Sequence, residues 1–309
     1  MKKGLISLFA VVLVFISVLA IWLYMFPDHV LKTISNVERG TAGLALSSVE
    51  VNGLDIKYLT GGEGETLILI HGFGANKDNW TRVSKYLTPH FRVVAPDLVG
   101  FGESARPEGA GYTITEQMER VKAFADKLNL KSFHLGGSSM GGNISAAFAA
   151  TYPDYIKSLW LIAPGGVYSA EPSEMYGLLK KGENPLIAKD RAGYNGVLDF
   201  VFYKKPYIPG PVVDAFAAEA VRNKPINDIV FSAIHDKPLA TDVVLTGCRI
   251  PALVVWGKND RVLHFSGAEI LGRNMKNAEV ILMDETGHLP MIEKASLAAK
   301  DFLKFHNKG

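Results

Sequence analysis

The sequence predicts an α/β fold in which an open, mostly parallel sheet is covered by helices on both faces. Short continuous apolar runs recur along the chain, as expected of strands that are buried on both faces of a sheet. Segments with helical periodicity separate most of these runs, which is typical of a parallel sheet with helical crossovers. One long interval, from about residue 168 to residue 246, interrupts this alternation.

The predicted strands start with a strand or hairpin and continue as six apolar runs. In chain order they are 49–59, 67–70, 91–95, 132–135, 159–162, 252–256 and 280–282. The predicted helices follow most of these strands, at 77–87, 114–128, 141–152, 265–275 and 293–305. The interval 168–246 has prolines, aromatic residues and helical patches, but no clear buried strand. We interpret it as a helical cap inserted into a domain that spans residues 49–309, over the carboxyl edge of the sheet.

Composition narrows the class of protein further. The chain has 309 residues and is 48% hydrophobic, which is enough for a sizeable core. Its net charge is +2 and its basic residues form no long run, so the sequence offers no electrostatic surface for nucleic acid. Cys248 is the single cysteine, which excludes an intramolecular disulfide and any metal site built from several cysteines.

Residues 1–26 are expected to form a membrane anchor. Residues 5–26 carry no charge, and about 20 apolar residues suffice to cross a bilayer as a helix. A cleaved signal peptide is the alternative, with Val18-Leu19-Ala20 as a small-residue cleavage site and secretion as the result. The apolar character continues past that site to Phe26, which favours an uncleaved anchor.

The flanks of this segment predict its orientation. Lys2 and Lys3 precede it, and under the positive-inside rule they place the N-terminus in the cytoplasm. The rest of this single-pass membrane protein then lies on the periplasmic or extracytoplasmic side. Residues 27–48 are expected to form a short helical linker along the membrane surface.

A sharp turn between a predicted strand and a predicted helix has a serine at its centre. The run Gly137-Ser138-Ser139-Met140-Gly141 fits the pattern G-x-S-x-G. In this geometry the central serine has a strained backbone, its neighbours must be small, and its hydroxyl is exposed at a helix N-terminus. The pattern has only three fixed positions, so its value depends on a base, an acid and an oxyanion hole nearby.

Two later strand ends offer the base and the acid. His288 follows the last predicted strand and a turn, which places its imidazole at the carboxyl edge of the sheet. Asp260 ends the preceding strand, and its carboxylate can hold the tautomer of the base. The chain order Ser139, Asp260, His288 is the order expected after a G-x-S-x-G turn. Asp97 also ends a strand, and we interpret it as a carboxylate that binds loop amides beneath the turn.

The oxyanion of a tetrahedral intermediate requires two converging N–H donors. Met140 follows the serine and supplies one N–H from the helix N-terminus. The loop His71-Gly72-Phe73-Gly74 follows an earlier strand, and its glycines let the backbone approach closely. Phe73 is therefore the expected second donor, and its side chain is free to line an acyl pocket.

Five segments resemble the motifs of one known family. They are HGFGANKDNW, APDLVGFGES, HLGGSSMGG, WGKNDRV and GHLPMIE. Over residues 49–307 they make the chain similar to the α/β-hydrolase fold family, and most of all to membrane-anchored monoacylglycerol lipases and the bacterial lipases and esterases like them. The resemblance implies a triad of Ser139, Asp260 and His288, an oxyanion hole of Phe73 and Met140, and no metal or organic cofactor.

The expected activity is that of a serine carboxylester hydrolase acting on acylglycerols or other fatty-acyl esters. Serine at position 139 argues against haloalkane dehalogenases and epoxide hydrolases, which place an aspartate there. Carbon–carbon bond hydrolases of aromatic degradation keep the same triad and remain an alternative, although their soluble diketone-acid substrates give little use for an anchor. A non-catalytic binding protein of the same fold is a third hypothesis.

Overall fold

The computed structural model describes residues 25–308, so nearly all of the predicted anchor at residues 1–26 lies outside the described residues. Within residues 25–308, no helix has both the length and the apolar character needed to span a bilayer.

Eight strands form one sheet with the order β1-β2-β4-β3-β5-β6-β7-β8. The strands are β1 Ala45–Val51, β2 Leu54–Gly61, β3 Glu65–Ile70, β4 Phe91–Pro96, β5 Phe133–Ser138, β6 Ile156–Ile162, β7 Ala252–Gly257 and β8 Ala278–Met283. Strand β1 pairs antiparallel with β2, and β2 pairs antiparallel with β4. All other neighbouring strands in this order, from β4 to β8, are parallel. The predicted α/β fold with a mostly parallel sheet is therefore confirmed.

Helices cover both faces of this sheet and also form the long interval between β6 and β7. They are α1 Pro27–Thr41, α2 Thr81–Leu87, α3 Ile114–Lys127, α4 Met140–Thr151, α5 Glu174–Leu179, α6 Arg191–Val201, α7 Gly210–Arg222, α8 Lys224–Asp236, α9 Thr241–Val244, α10 Ser266–Asn274, α11 Pro290–Glu293 and α12 Ala295–His306. Two short 3-10 turns, Lys77–Trp80 and Pro153–Tyr155, complete the set.

The apolar side chains of the central strands alternate between two cores. Ile68 and Ile70 of β3 belong to the core beneath α3, α4 and α10, whereas Leu67 and Leu69 belong to the core beneath α2 and α12. All four side chains are fully buried. This explains why β3 is a continuous apolar run: in a strand covered on both faces, each residue is a core residue.

The interval between β6 and β7 folds as five helices, α5 to α9, and residues 163–251 contain no strand. Val230 of α8 is fully buried in the same core as the residues beneath α3 and α4. Helix α7 contacts both α6 and α1. The insertion is thus packed on the body of the protein through at least two of its helices.

Residues 27–48, the predicted linker, contain the first helix and the start of the first strand. Helix α1 occupies its first part, but strand β1 already begins at Ala45, because Ala45 pairs with Thr60 in the antiparallel hairpin. The helix also packs on the rest of the protein. Val30 is buried, and Arg39 forms two 2.6 Å hydrogen bonds to the carboxylate of Asp78.

Candidate active site

Ser139 occupies a strained turn between β5 and α4. Its φ of 55° and ψ of −119° lie where non-glycine residues are rare, a conformation that costs on the order of 1–3 kcal/mol. Gly137 and Gly141, which flank this turn, have no room for a side chain. A Cβ on Gly141 would lie 2.2 Å from the carbonyl oxygen of Ile70, and one on Gly137 would lie 2.2 Å from that of Gly141. The predicted sharp turn is therefore enforced by close backbone packing.

Backbone hydrogen bonds hold this turn in place. The Ser139 N–H donates to the Ile162 carbonyl at 3.0 Å, and the Ser139 carbonyl accepts from the N–H groups of Asn143 and Gly165. The side-chain amide of Asn143 donates to the Thr241 hydroxyl at 2.6 Å, which ties the first turn of α4 to α9 of the insertion. Sequence reasoning missed Asn143, whose only signal was a polar residue in a small-residue segment.

Asp260 and His288 contact each other directly at the carboxyl edge of the sheet. His288 Nδ1 lies 2.7 Å from Asp260 Oδ2, and both side chains are buried. Three further donors face the carboxylate: Trp256 Nε1 on Oδ2, and the N–H groups of Val262 and Leu263 on Oδ1. With Nδ1–H donating to Asp260, the neutral imidazole presents Nε2 as a proton acceptor.

The loop that bears His288 is fastened to the insertion. The His288 N–H donates to the carbonyl of Val201 at 2.8 Å, at the end of α6. Glu293 receives the Gly287 N–H on Oε1 and the N–H groups of Tyr203 and Lys204 on Oε2, at 2.8, 3.0 and 3.0 Å. Burial raises the pKa of Glu293, and these three donors oppose that rise. Sequence reasoning missed Glu293, although it lies within the segment GHLPMIE.

The loop after β3 lies against the nucleophile turn. A Cβ on Gly72 would be 3.1 Å from the Cβ of Ser139, so this loop and the serine are in near contact. Met140 is the first residue of α4, where backbone N–H groups have no intrahelical partner. The Phe73 ring packs edge-on against Phe101 and against Phe231 of α8, with centroids 6.1 and 5.5 Å apart.

His71 supports this loop from within the core. It is fully buried, its Nε2 accepts the Leu98 N–H at 3.0 Å, and its Nδ1–H donates to the Gly72 carbonyl at 2.8 Å. These two bonds require the neutral ring, and burial lowers the pKa of His71. The buried His71 ring therefore holds the loop after β3 in place from the core side.

Asp97 binds loop amides, as its sequence context indicated, and its ion-pair partner is Lys77. Its carboxylate accepts from the Lys77 N–H and the Lys77 ammonium, both at 2.7 Å, and from the Glu103 N–H at 2.8 Å. The side chains of Asp97 and Lys77 are buried together. A Cβ on Gly102 would lie 2.2 Å from this carboxylate, so the chain wraps closely around it.

The structure thus brings the five predicted site residues to one edge of the sheet. Asp260 and His288 are hydrogen-bonded. Phe73 lies in the loop after β3, which is in near contact with Ser139, and Met140 follows Ser139 as the first residue of α4. Within residues 25–308, no hydrogen bond joins the Ser139 hydroxyl to His288 Nε2.

Comparison with known proteins agrees with this geometry. A family model described as alpha/beta hydrolase fold matches residues 65–194. Lipase 1 of Psychrobacter immobilis is 36% identical over 89% of this chain and 88% of that protein. Monoacylglycerol lipase abhd6-B of Xenopus laevis is 31% identical over 78% of this chain and 76% of that protein.

A solved structure is similar over its whole length. It is the crystal structure of a membrane phospholipase A, described as a bacterial virulence factor, with a TM-score of 0.90 and 39% identity. The match covers 100% of this chain and 99% of that one. The chain therefore belongs to the α/β-hydrolase fold family.

Proposed function

We propose that this protein is a serine carboxylester hydrolase, a lipase or esterase that cleaves acylglycerols or other fatty-acyl esters. The observation that carries the proposal is the hydrogen-bonded Asp260–His288 pair at the sheet edge that also bears Ser139 at its strained turn. Relatives that are at least 30% identical over most of their length are lipases, which supports the same reaction class.

In the proposed mechanism Ser139 Oγ attacks the ester carbonyl while His288 Nε2 takes its proton. The carbonyl oxygen becomes an oxyanion, which accepts hydrogen bonds from the N–H groups of Phe73 and Met140. The tetrahedral intermediate expels the alcohol, which takes the proton from His288, and an acyl-enzyme remains. Water then attacks the acyl-enzyme by the same route, releases the fatty acid and restores Ser139. Asp260 holds the ring of His288 and stabilises its charged form throughout.

The surroundings of the oxyanion loop suit an apolar acyl group. The rings of Phe73, Phe101 and Phe231 form an aromatic wall beside the loop, where an acyl chain would be removed from water. Phe231 belongs to α8, so the insertion contributes to this wall. The carbon–carbon bond hydrolase alternative is not favoured, since the relatives named above are lipases.

We further propose a division of the chain into anchor, linker and catalytic domain. Residues 1–26 would be a single-pass membrane anchor, 27–48 a linker, and 49–309 the catalytic domain with a cap insertion at about 168–246. The uncharged segment at residues 5–26 supports the anchor, and the contact between α1 and α7 would bring the anchor close to the cap. The domain would then face membrane lipid on the periplasmic or extracytoplasmic side; signal cleavage would release it.

A fluorophosphonate probe tests the proposed nucleophile. The probe reacts with activated serines, so the folded protein should be labelled and the Ser139→Ala variant should not. Ser138→Ala is a matched control, because the hydroxyl of Ser138 is buried in the preceding strand without a hydrogen-bond partner. Labelling that survives Ser139→Ala would rule out the assignment. A series of p-nitrophenyl esters and acylglycerols, run beside a diketone-acid substrate, then separates the two reaction classes.

A further inference from the structure

A second cluster of titratable side chains lies at the opposite edge of the sheet from Ser139. It consists of Glu65 at the start of β3, His134 near the start of β5 and His306 at the end of α12. Glu65 Oε2 is 2.9 Å from His134 Nε2 and 3.8 Å from His306 Nε2. One ligand atom from each of the three residues lies within 4.8 Å of the other two. The proposed ester hydrolysis uses none of them.

Neighbouring groups orient two of these three ligands. His134 Nδ1 lies 2.8 Å from the hydroxyl of Ser158, which leaves Nε2 directed at the cluster. Lys157 binds Glu65 through Oε1, which leaves Oε2 directed at the two histidines. The Phe91 ring packs edge-on against both imidazoles, with centroids 5.5 and 4.8 Å away. The donor set is therefore held by its surroundings.

We propose that Glu65 Oε2, His134 Nε2 and His306 Nε2 bind a divalent transition metal, with Zn²⁺ as the ion they suit best. Zinc takes nitrogen and carboxylate ligands at about 2.0–2.1 Å in a tetrahedral arrangement, which places neighbouring ligand atoms about 3.3 Å apart. The observed separations of 2.9 and 3.8 Å lie on either side of this value. Three protein ligands leave the fourth position to water. The Ser158 hydroxyl fixes the ring of His134 in the manner of an outer-shell partner.

Metal binding sets the tautomer of His134. Its Nε2 must offer a lone pair to the ion rather than a proton to Glu65, so the ring proton lies on Nδ1 and donates to the Ser158 hydroxyl. Glu65 Oε2, which faces Nε2 at 2.9 Å, is then free to be the second ligand. The Lys157 ammonium is a like charge for the ion, but it is partly solvent-exposed and binds the other carboxylate oxygen.

The geometry assigns a structural role to this ion. His134 and Ser139 lie at opposite ends of β5, about 16 Å apart at the rise of an extended strand. At that distance the ion cannot touch the reacting ester. It would instead join three elements that are remote in sequence and fasten α12 to the sheet. Because the ion binds the folded chain, it raises the melting temperature as its concentration rises.

Calorimetric titration of the full-length protein with ZnCl₂ after chelator treatment tests the proposal, together with melting curves at each zinc concentration. We expect one zinc ion per chain and a higher melting temperature. His306→Ala and Glu65→Gln should each weaken zinc binding at least tenfold, with circular dichroism confirming that both variants fold. His235→Ala is the matched control: it removes an exposed histidine of α8 and should leave zinc affinity unchanged.

Three results would overturn the proposal. One is the absence of saturable binding of one zinc ion to the wild-type chain. Another is equal zinc affinity in the wild type and in both His306→Ala and Glu65→Gln. The third is binding that survives in those two variants and disappears in His288→Ala, which would place the ion at the Asp260–His288 pair. None of these readouts depends on ester hydrolysis, so failure here leaves the proposed function untouched.

Discussion

Two buried carboxylates follow strands at the same edge of the sheet, yet they have different partners. Asp260, after β7, accepts from the imidazole of His288, whereas Asp97, after β4, accepts from the ammonium of Lys77. Both also accept backbone N–H groups, and neither side chain is exposed. A carboxylate at a strand end is thus only a candidate for catalysis. The partner decides the role of the carboxylate. Beside His288 it would stabilise the positive charge that develops on the ring during catalysis, whereas beside Lys77 it neutralises a charge that is always present.

The largest effect should come from Asp260→Asn. The amide would no longer stabilise the charged ring of His288 and would favour the wrong tautomer, so kcat/KM should fall by about 10⁴-fold. The fold should persist, because an amide of nearly the same size fills the same space. Steady-state kinetics with a p-nitrophenyl ester, corrected for the folded fraction by circular dichroism, measure this loss. A loss below tenfold would remove Asp260 from the triad.

Asp97→Asn should affect stability far more than turnover. It removes the carboxylate charge 2.7 Å from the buried Lys77 ammonium and leaves only the longer ion pairs to Glu103 and Asp78, at 3.5 and 3.9 Å. Breaking a buried pair in this way costs up to about 3–5 kcal/mol of unfolding free energy. Urea unfolding measures this cost. The double variant Asp97→Asn with Lys77→Met should recover much of it, because no buried charge remains. If Asp97→Asn instead lowered kcat/KM more than Asp260→Asn at equal folded fraction, the two carboxylates would have to exchange roles.

Glu293→Gln should have a smaller effect on the triad. A glutamine side chain has one acceptor oxygen, so it cannot receive the N–H groups of Gly287, Tyr203 and Lys204 together. We expect kcat to fall about tenfold, about 1.4 kcal/mol in activation free energy, because the His288 loop is held less firmly. Glu285→Gln is the control, since Glu285 lies exposed in the turn that precedes His288. Equal kinetics for both variants would show that Glu293 does not position His288.

The smallest effect concerns acid stability. Burial lowers the pKa of His71, whose ordinary value is 6.5, so below that pH the unfolded chain binds a proton that the folded chain excludes. Stability is therefore retained above pH 6.5 and falls as the pH drops, by at most about 1.4 kcal/mol per pH unit for this group. His134 is shifted in the same direction and adds to the fall.

Urea unfolding at pH 7 and pH 5 measures this dependence, and His71→Asn should reduce the difference between the two values. A variant that loses as much stability as the wild type over this interval would show that His71 does not contribute. Glu65 acts at lower pH, since its pKa is about 2, and does not interfere with this comparison.

The proposed triad can be picked out from the sequence because each member lies at a local feature with a fixed backbone geometry. Ser139 is framed by glycines that only a sharp turn requires, and Asp260 and His288 follow recognisable buried strands. The supporting contacts were not predictable in this way. Asn143 binds Thr241, 98 residues away, and Glu293 binds the amides of Tyr203 and Lys204, about 90 residues away.

For the first residues of the chain, too, the sequence predicts the elements but not their packing partners. Apolar composition identified a candidate anchor, and helical character was expected in the residues after it. The ion pair between Arg39 and Asp78 and the contact between α1 and α7 depend on how the insertion and the core are arranged. A local pattern indicates which element forms, whereas its packing partners are set by the rest of the fold.

If Ser139 is the nucleophile, it carries the acyl group during the reaction. Mass spectrometry of protein quenched during turnover of a slowly hydrolysed p-nitrophenyl ester can detect this acyl-enzyme. We expect an added mass equal to the acyl group, located on the peptide that contains Ser139 and absent in Ser139→Ala. An acyl group on any other residue, with hydrolysis retained in Ser139→Ala, would show that Ser139 is not the nucleophile.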